Sequence, residues 1–499
     1  MSDSPTETLP AEPPAGRPAW KRPAIVGGGV AAAVLVGAGA FAFVELSGGG
    51  PQPHDVLPDT AIAYGRIDLD PSAGQKVATL RLIRKFPELA RELGIKNADQ
   101  DVRRLIVEEA VQDCDVDFDT DIEPWLGSRV GIAAIPASDV PDAVFALQVD
   151  GEAAARQGLR SLEKCAGEPK SGVAFLDGYA LVAETQAIAD RAKTDAVKAP
   201  LADDQAFSDS MSDLGDEGLA SAWIDVEGLL KVPEVRKEFP GEATAQLGKG
   251  SIAMTLRAKS DAVELVSAAD GLPKTYETDP IDIGSLPETT ALAIGIRAPA
   301  QAVSDQWDAA VEGMKTTGED PLELFKAFES DTGIRLPEDL ETLLSGGFTL
   351  AVGDRNLETI PTLQGPPNPA DFDLGVRMGD PKAEDLAGRL ISYVRDNTGL
   401  ELSSTQTKGG TVIATNAKAF QAGGKTLSAS AGFGEVVGED AQQALFVNLQ
   451  TITKAIEASD PPPEVADVVD QLGPLGVLGM SYAQDGETAR ASFTLTFDE

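Results

Sequence analysis

The side chains best suited to chemistry in this sequence are carboxylates, and a dense run of them is CDVDFDTDIE, which starts at residue 114. Acidic residues occupy alternate positions of this run, as in a calcium-binding loop. Such a loop needs glycine at its sixth position and glutamate at its twelfth, where this sequence has Thr120 and Leu126. Acids that alternate with Val116 and Phe118 are more typical of a solvated strand edge. We therefore predict no metal site.

The motifs that could bind phosphate or activate a nucleophile are incomplete. AGGKT, which starts at 422, resembles the end of a phosphate-binding loop, but Ala419 stands where the first glycine is required. The S-x-x-K sequence from Ser161 lies in an amphipathic helix pattern and has no S-D-N or K-T-G partner. His54 is the single histidine and falls in a predicted linker, which excludes a Ser-His-Asp or Cys-His apparatus in either domain. We predict no catalytic residue and no cofactor, although an enzyme that relies on carboxylates stays open.

The charge balance of the chain limits its partners. The sequence has 41 basic and 80 acidic residues, a net charge of −39. A surface this acidic repels phosphate backbones and anionic lipid head groups, so we expect no nucleic-acid partner. The acidity has two interpretations. Either the charge of an exposed surface simply serves to keep the protein in solution, or one acidic face binds cations.

The apolar segment at residues 24–44 predicts how the chain is placed in the cell. It carries no charge, and as a helix it would span about 31 Å, close to the thickness of the hydrocarbon core of a membrane. A basic cluster precedes it, so we expect a transmembrane helix with residues 1–23 as a disordered cytoplasmic tail. Everything after this helix would be extracellular, beginning with a Gly/Pro linker at 45–56.

The same segment could instead be a cleaved signal peptide, because Ala40-Phe41-Ala42 offers a cleavage site. The apolar run is longer than the roughly 7–15 residues of a signal peptide core, which favours an uncleaved anchor. The sequence therefore predicts a single-pass protein of the cell membrane that contacts the membrane through residues 24–44.

The two cysteines fit an extracellular location. Cys114 and Cys165 both follow the apolar segment, and disulfides persist outside the cell. We predict a Cys114–Cys165 disulfide, with two buried free thiols as the alternative. Two cysteines and one histidine cannot complete a four-ligand zinc site.

The elements that would position any site come in two related sets. LPDTAIAYGRI, which starts at 57, is echoed by LPETTALAIGIR, which starts at 286, and we align residues 61–65 with residues 291–295. DIEPWLGSRVGIAA is echoed without a gap by DLETLLSGGFTLAV, so that Asp121 matches Asp339. Both phrases of the first pair alternate like half-buried strands.

These echoes keep their order along the chain, which indicates a domain duplication. We predict two tandem copies of one domain at residues 57–270 and 286–499, joined by a linker at 271–285. Hairpins dominate each copy, which favours a mostly antiparallel sheet with helices packed on one face. The expected fold is α+β, a single N-terminal transmembrane helix followed by these two domains.

Three stretches of the sequence resemble one known family. They are LPDTAIAYGRIDLDPSAGQKVATLRLIRKFP from residue 57, DIEPWLGSRVGIAAIP from 121 and DDQAF from 203. Over nearly all of the chain after the apolar segment, the sequence is similar to a membrane-anchored family of high-GC Gram-positive bacteria, domain of unknown function 3352. The resemblance implies an envelope protein held at the membrane, and it implies no activity.

Three classes of function remain. A non-catalytic envelope protein, acting as a scaffold that contacts other proteins, fits the missing catalytic chemistry and the duplication. The alternative is a protein that binds a lipid or another apolar ligand between helices and a curved sheet. An enzyme built on carboxylates is the third class.

Overall fold

The computed structural model of the chain describes residues 50–68, 85, 103–104, 116–138, 140–166, 170–215, 218–238, 249–272, 276–316, 321–362, 367–407, 409–420 and 424–498. Alternating apolar residues form strands in these ranges because every second side chain can then be buried on one face. The strands of this described part are β1 (Ala63–Asp68), β2 (Leu126–Ile135), β3 (Asp142–Val149), β4 (Gly172–Leu176), β5 (Tyr179–Ala183), β6 (Ala220–Asp225), β7 (Ser251–Ala258), β8 (Ala262–Ala269), β9 (Thr290–Ile296), β10 (Phe348–Gly353), β11 (Leu374–Met378), β12 (Ser403–Thr407), β13 (Gly410–Ala414), β14 (Gln443–Asn448), β15 (Leu475–Asp485) and β16 (Thr488–Phe497).

Helices connect the strands where apolar residues recur at helical spacing instead. The α-helices of the described ranges are α1 (Glu152–Ala166), α2 (Gln186–Lys198), α3 (Gln205–Leu214), α4 (Val226–Leu230), α5 (Pro233–Glu238), α6 (Ala300–Thr316), α7 (Pro321–Thr332), α8 (Glu338–Ser345), α9 (Ala383–Thr398), α10 (Phe433–Val436), α11 (Leu449–Glu457) and α12 (Pro463–Leu472). Side-chain caps fix several starts. Thr185 accepts a hydrogen bond from the Ile188 N–H at the start of α2, and Asp204 accepts one from the Phe207 N–H at the start of α3.

The described strands pair into one antiparallel sheet of sixteen strands. Their order is β12-β13-β11-β10-β9-β14-β15-β16-β8-β7-β6-β1-β2-β3-β5-β4. The order of β1 to β8 recurs in β9 to β16, with each number raised by eight. The two sets meet where β8 pairs with β16, and we call this junction the seam. The antiparallel pairing at the seam relates the two halves by an approximate two-fold axis.

The expected fold is corrected, because the two copies do not form separate domains. Strand β8 pairs with β16, from Ala262 with Thr496 to Ala269 with Ala489, and this pairing joins both halves into one continuous sheet. The sequence of one copy does not show whether its last strand ends as an edge or pairs with another strand. No helix of the described residues is long and apolar enough to cross a membrane. Residues 24–44, where we expected a transmembrane helix, lie outside the described residues.

The two faces of the sheet are covered differently. On one side, which we call the covered face, α2 and α3 pack against a core that includes Tyr64, Trp223 and Val266. In the second half the same side forms a core of Ala293 and Phe446 with α10. We call the opposite side the open face. There, α1 packs near β3, β4 and β5, and α9 packs near β11 and β13.

The opening phrases of the two halves occupy equivalent places. Leu57 and Leu286 are both buried. The Leu57 carbonyl accepts a hydrogen bond from the Leu201 N–H at 2.7 Å, and the Leu286 carbonyl accepts one from the Leu427 N–H at 2.6 Å. The repeated Leu-Pro phrase therefore fixes the start of each half to a segment on the covered face.

The alignment of residues 61–65 with residues 291–295 is wrong by one residue. Tyr64 is paired with Ala133, and its equivalent Ala293 is paired with Ala351, so the two phrases match without a gap when they are counted from Leu57 and Leu286. Since a one-residue shift moves a side chain to the other face, Tyr64 is buried on the covered face. Ile294, its expected match, lies on the open face.

The continuous sheet predicts that a change at the seam weakens both halves. Val266 of β8 is buried and directly paired with Ser492 of β16. Val266→Ala removes buried methyl groups and should lower the free energy of unfolding by about 2 kcal/mol. Urea unfolding would be followed through the tryptophan signal in two variants, one that keeps Trp223 of the first half and one that keeps Trp307 of the second. Val266→Ala should lower the unfolding midpoint seen by both tryptophans to the same extent. A shift seen by Trp223 alone would contradict the shared sheet.

Candidate functional site

Charged side chains are confined to one face of the eight central strands, β1, β6, β7, β8, β16, β15, β14 and β9. Side chains alternate along a strand and directly paired residues share a face, so the register assigns each residue to a face. The charged residues of these strands all fall on the covered face. They are Arg66, Asp68, Asp225, Arg257, Glu264, Asp485 and Arg490. The open face of these strands is therefore uncharged.

Large apolar side chains form a row across the middle of the open face, which we call ridge B. Its members are directly paired from strand to strand: Leu256, Leu265, Phe493, Met480, Leu445, Ile294 and Leu350. Leu265 is 40% exposed, Phe493 41% and Met480 38%. From β7 to β10 the row covers about 29 Å at the usual strand spacing. It crosses the seam without interruption.

Two parallel rows flank ridge B on the same face. Ridge C consists of Val263, Leu495, Leu478, Val447 and Leu292. Ridge A consists of Met254, Ser267, Ala491, Tyr482, Gln443 and Ile296. Neighbouring rows on one face lie about 7 Å apart, so shallow grooves run across the strands between them. Ridge A differs from the other two because it contains small and polar residues near the seam.

Helices at both ends turn the open face into a trough. At one end, Leu159 of α1 packs with Phe175 of β4 in a buried cluster. At the other end, Leu386 of α9 packs with Ile413 of β13. Between these helices most residues of ridges A, B and C are half-exposed. We call this uncharged surface the trough, and a contiguous apolar surface of this kind is typical of a binding site.

The covered face carries a buried charge network in the first half. Asp68 Oδ2 lies 3.0 Å from Arg66 Nη2 and 3.8 Å from Arg129 Nε, and all three residues are buried. Arg129 Nη1 also donates to the Pro51 carbonyl at 3.3 Å. The Tyr179 hydroxyl donates to the same carbonyl at 2.8 Å, and burial raises the pKa of Tyr179 to about 12. These bonds fix residue 51 to the sheet.

The predicted Gly/Pro linker at 45–56 is folded where the structure describes it. Residues Pro53–Asp55 form a 3₁₀ turn, and Val56 is completely buried. The His54 ring lies 5.3 Å from the Phe207 ring and 5.9 Å from the Tyr64 ring, centre to centre. The single histidine is therefore part of an aromatic cluster in the core of the first half, where the sequence had placed it in a linker.

The described part of the acid-rich run, residues 116–123, does not form a strand edge. Residues Phe118–Ile122 form a π-helical turn. Asp117 accepts from the Thr120 N–H at 3.0 Å, and this bond holds the pKa of Asp117 below its ordinary value. No group of acids, histidine and cysteine suited to a metal ion occurs among the described residues. Asp117 and Asp121 satisfy backbone N–H groups, and Asp119 forms an ion pair with Arg104.

The matched pair Asp121 and Asp339 makes the same local bond in each half. Asp121 Oδ2 accepts from the Asp117 N–H at 3.0 Å, and Asp339 Oδ2 accepts from the Arg335 N–H at 2.6 Å. Asp339 also binds Arg389 of α9 through two hydrogen bonds, of 2.7 and 2.8 Å. The Arg389 guanidinium holds the pKa of Asp339 below its usual range. These carboxylates position the turn before β2 and the helix before β10.

The predicted disulfide lies partly outside the described residues. Cys165 is in the last turn of α1, and no cysteine in the described part of the chain is free. Cys114 lies outside that part, so its pairing with Cys165 stays a prediction.

A cluster of serine and aspartate on the covered face escaped the sequence analysis. Asp270 Oδ2 accepts from Ser251 Oγ at 2.7 Å and from Ser210 Oγ at 3.0 Å. Asp270 Oδ1 accepts from the Ser251 N–H at 2.9 Å. Because one carboxylate holds both buried hydroxyls, the cluster joins α3 to the ends of β7 and β8. Its three residues are far apart in sequence and follow no motif, so no signal marked them.

Comparison with known proteins gives a family and no function. A family model described as "Protein of unknown function (DUF3352)" matches residues 24–467. The chain belongs to this family. No curated protein matches it. Among solved structures, the chain is similar to one titled "Structure of crystal form III of TP0453", with 10% identity, coverage of 46% of this chain and 82% of that chain, and a TM-score of 0.24. A likeness at this TM-score bears on neither fold nor function.

The trough of this DUF3352 protein was not predicted from the sequence. In SIAMTLRA of β7 the open-face residues Ile252, Met254 and Leu256 are apolar, whereas Ser251, Thr255 and Arg257 of the alternate set are polar. Such alternation predicts that the apolar set is buried and the polar set is solvated. Only the strand register and the exposure of the side chains show that the apolar set forms continuous rows on the open face.

The bond between Asp339 and Arg389 predicts a pH-dependent contribution to stability. Asp339→Asn keeps the side-chain size but removes the charge, and should lower the free energy of unfolding at pH 7 by about 2 kcal/mol. Because the folded pKa of Asp339 is depressed below 3.8, its contribution is present above that pH and lost as the pH falls through the folded value. The difference between the two proteins in urea unfolding should therefore shrink in acid.

The matched control is Asp385→Asn. Asp385 Oδ2 lies 3.1 Å from Arg389 Nε, but its side chain is 74% exposed. An exposed pair of this kind should contribute less than about 1 kcal/mol. A loss for Asp339→Asn that is the same at pH 7 and in acid would contradict the assigned role of the charge.

Proposed function

We propose that this protein is a non-catalytic binding protein that holds an apolar ligand in the trough. The observation that carries the proposal is ridge B, in which Leu265, Phe493 and Met480 lie side by side and are each about two-fifths exposed. Water in contact with these side chains is unfavourable, and covering them would contribute roughly 25 cal/mol for each Å² of apolar surface. A ligand that fits the grooves gains this free energy without breaking any backbone hydrogen bond of the sheet.

The shape of the trough favours an elongated ligand. The grooves between ridges run across the strands and over the seam, so one ligand would contact both halves. Helices α1 and α9 stand at the two ends of the same face. A rounded ligand would cover only a few residues of each ridge, whereas a narrow chain can follow a groove for most of its length.

A scaffold for envelope proteins is the second candidate, and two helices favour it. On α7, Leu324 is 55% exposed and Phe328 39%. On α12, Val468 is 52% exposed and Leu472 38%. Residues four apart share one side of a helix, and such apolar pairs can act as anchors for a partner protein. These helices could bind a partner whether or not the trough is filled.

The location that suits both candidates is the outer surface of a cell membrane, with attachment through residues 24–44. The absence of charge in that segment and the basic cluster before it support this proposal. Residue 51 is fixed to the sheet by Arg129 and Tyr179. The intervening residues 45–50 can span at most about 21 Å. The sheet would therefore stay close to the lipid.

A charge on ridge B should abolish binding. Phe493→Asp places a carboxylate where the apolar ligand would lie, and burying an unpaired charge there is unfavourable. The measurement is native mass spectrometry of the full chain, purified from its own membrane under mild conditions. We expect the unchanged chain to keep a bound mass of lipid size that is lost on denaturation, and the variant to lose at least about nine-tenths of that occupancy.

The matched control is Val197→Asp. Val197 of α2 is 64% exposed, outside the trough, and gives the same change of charge. It should leave the bound mass unchanged. A bare mass for the unchanged chain, or equal occupancy in Phe493→Asp, would contradict binding in the trough.

A further inference from the structure

Ridge A carries three polar side chains whose hydrogen-bonding groups no described residue uses. They are Ser267 of β8, Tyr482 of β15 and Gln443 of β14. Tyr482 and Gln443 are directly paired, and Ala491 lies between Tyr482 and Ser267. All three polar residues are half-buried. Half-buried polar groups take their partners from water or from a ligand.

The chemistry of the trough changes from one ridge to the next. Ridges B and C are built from aliphatic side chains, Met480 and Phe493, whereas ridge A has hydroxyl and amide groups near the seam. A tyrosine hydroxyl is protonated at neutral pH, so Tyr482 can donate a hydrogen bond, and burial raises its pKa further. A molecule in the groove between ridges A and B meets hydrocarbon on one side and uncharged donors and acceptors on the other.

Charge restricts the polar part of such a molecule. The open face of the central strands has no charged side chain, since every charged residue of these strands lies on the covered face. A phosphate or carboxylate in the trough would therefore be desolvated without a countercharge. The net charge of −39 adds long-range repulsion against anions. The polar part that fits is uncharged.

We propose, resting on the proposed function of the trough, that its ligand is a neutral acyl lipid. Its ester or hydroxyl group bonds to Tyr482 and Gln443, and its hydrocarbon chain lies along ridge B across the seam. A second copy of the protein is a poorer occupant, because two chains of charge −39 repel each other. A partner protein is also poorer, because a protein interface surrounds its apolar core with a polar rim, whereas the polar groups of ridge A border ridge B on one side only.

Photoactivatable probes test this proposal on the full chain in phosphatidylcholine nanodiscs. Three probes carry the same diazirine-bearing chain: a monoacylglycerol, an alkyl phosphate and a hydrocarbon without a head group. Peptide mapping should place the monoacylglycerol adducts at Leu265, Met480 and Phe493. Labelling by the monoacylglycerol should exceed labelling by the alkyl phosphate about tenfold, the effect of about one well-placed hydrogen bond or an avoided charge.

Tyr482→Phe separates the head-group inference from binding itself. The variant should reduce monoacylglycerol labelling about five- to tenfold and leave labelling by the hydrocarbon unchanged. The matched control is Tyr393→Phe, because Tyr393 is half-buried on α9 and lies outside the ridges. This variant should change neither the labelling by the monoacylglycerol nor the labelling by the hydrocarbon.

The outcomes distinguish the two proposals. No labelling of the ridges by any probe would overturn the proposed function of the trough. Labelling by the hydrocarbon together with equal labelling by the alkyl phosphate, or with no effect of Tyr482→Phe, would overturn the neutral-lipid inference alone. Crosslinks between two copies of the chain through the ridge residues would identify the second copy as occupant and overturn the inference.

Discussion

The antiparallel pairing of β8 with β16 is the interaction on which the rest of this structure depends. It joins residues 262–269 to residues 489–496 and makes two eight-stranded halves into one sheet. Without it, each half would end in a long edge strand with unpaired N–H and C=O groups. Ridge B would also stop at that edge, since Leu265 and Phe493 meet across the seam. The pairing therefore satisfies the backbone and creates the continuous apolar surface at once.

The strict alternation of side chains separates two chemistries on this sheet. Charged residues of the central strands lie on the covered face, where Asp68 is bound by Arg66 and Arg129. The opposite set is uncharged and half-exposed, although a solvated face of an antiparallel sheet is normally polar. This reversal of the usual pattern is the physical basis of the binding proposal. If the trough stayed in contact with water, polar side chains on it would be more favourable than apolar ones. The open face of the central strands nevertheless has few polar residues.

Local features of this fold follow from the sequence, and long-range features do not. Alternation predicted antiparallel strands, and the match of Asp121 with Asp339 corresponds to the same backbone bond in both halves. The seam could not be predicted, because strand pairing between the halves leaves no local pattern. The one-residue shift between the two strand phrases and the packing of His54 were missed for a related reason. Identical letters in two phrases do not show which residues have equivalent strand partners, and a Gly/Pro-rich stretch can pack where tertiary contacts favour it.

Hydrogen exchange at the seam tests the shared sheet most directly. The backbone amides of β8 and β16 that pair across it should exchange as slowly as those of the internal strands β1 and β9, because both sets are hydrogen-bonded on two sides. Exchange can be followed by mass spectrometry on peptides from the full chain. If β8 and β16 exchanged as fast as the terminal strands β4 and β12, the two halves would not share a sheet in solution, and the trough would not extend across both.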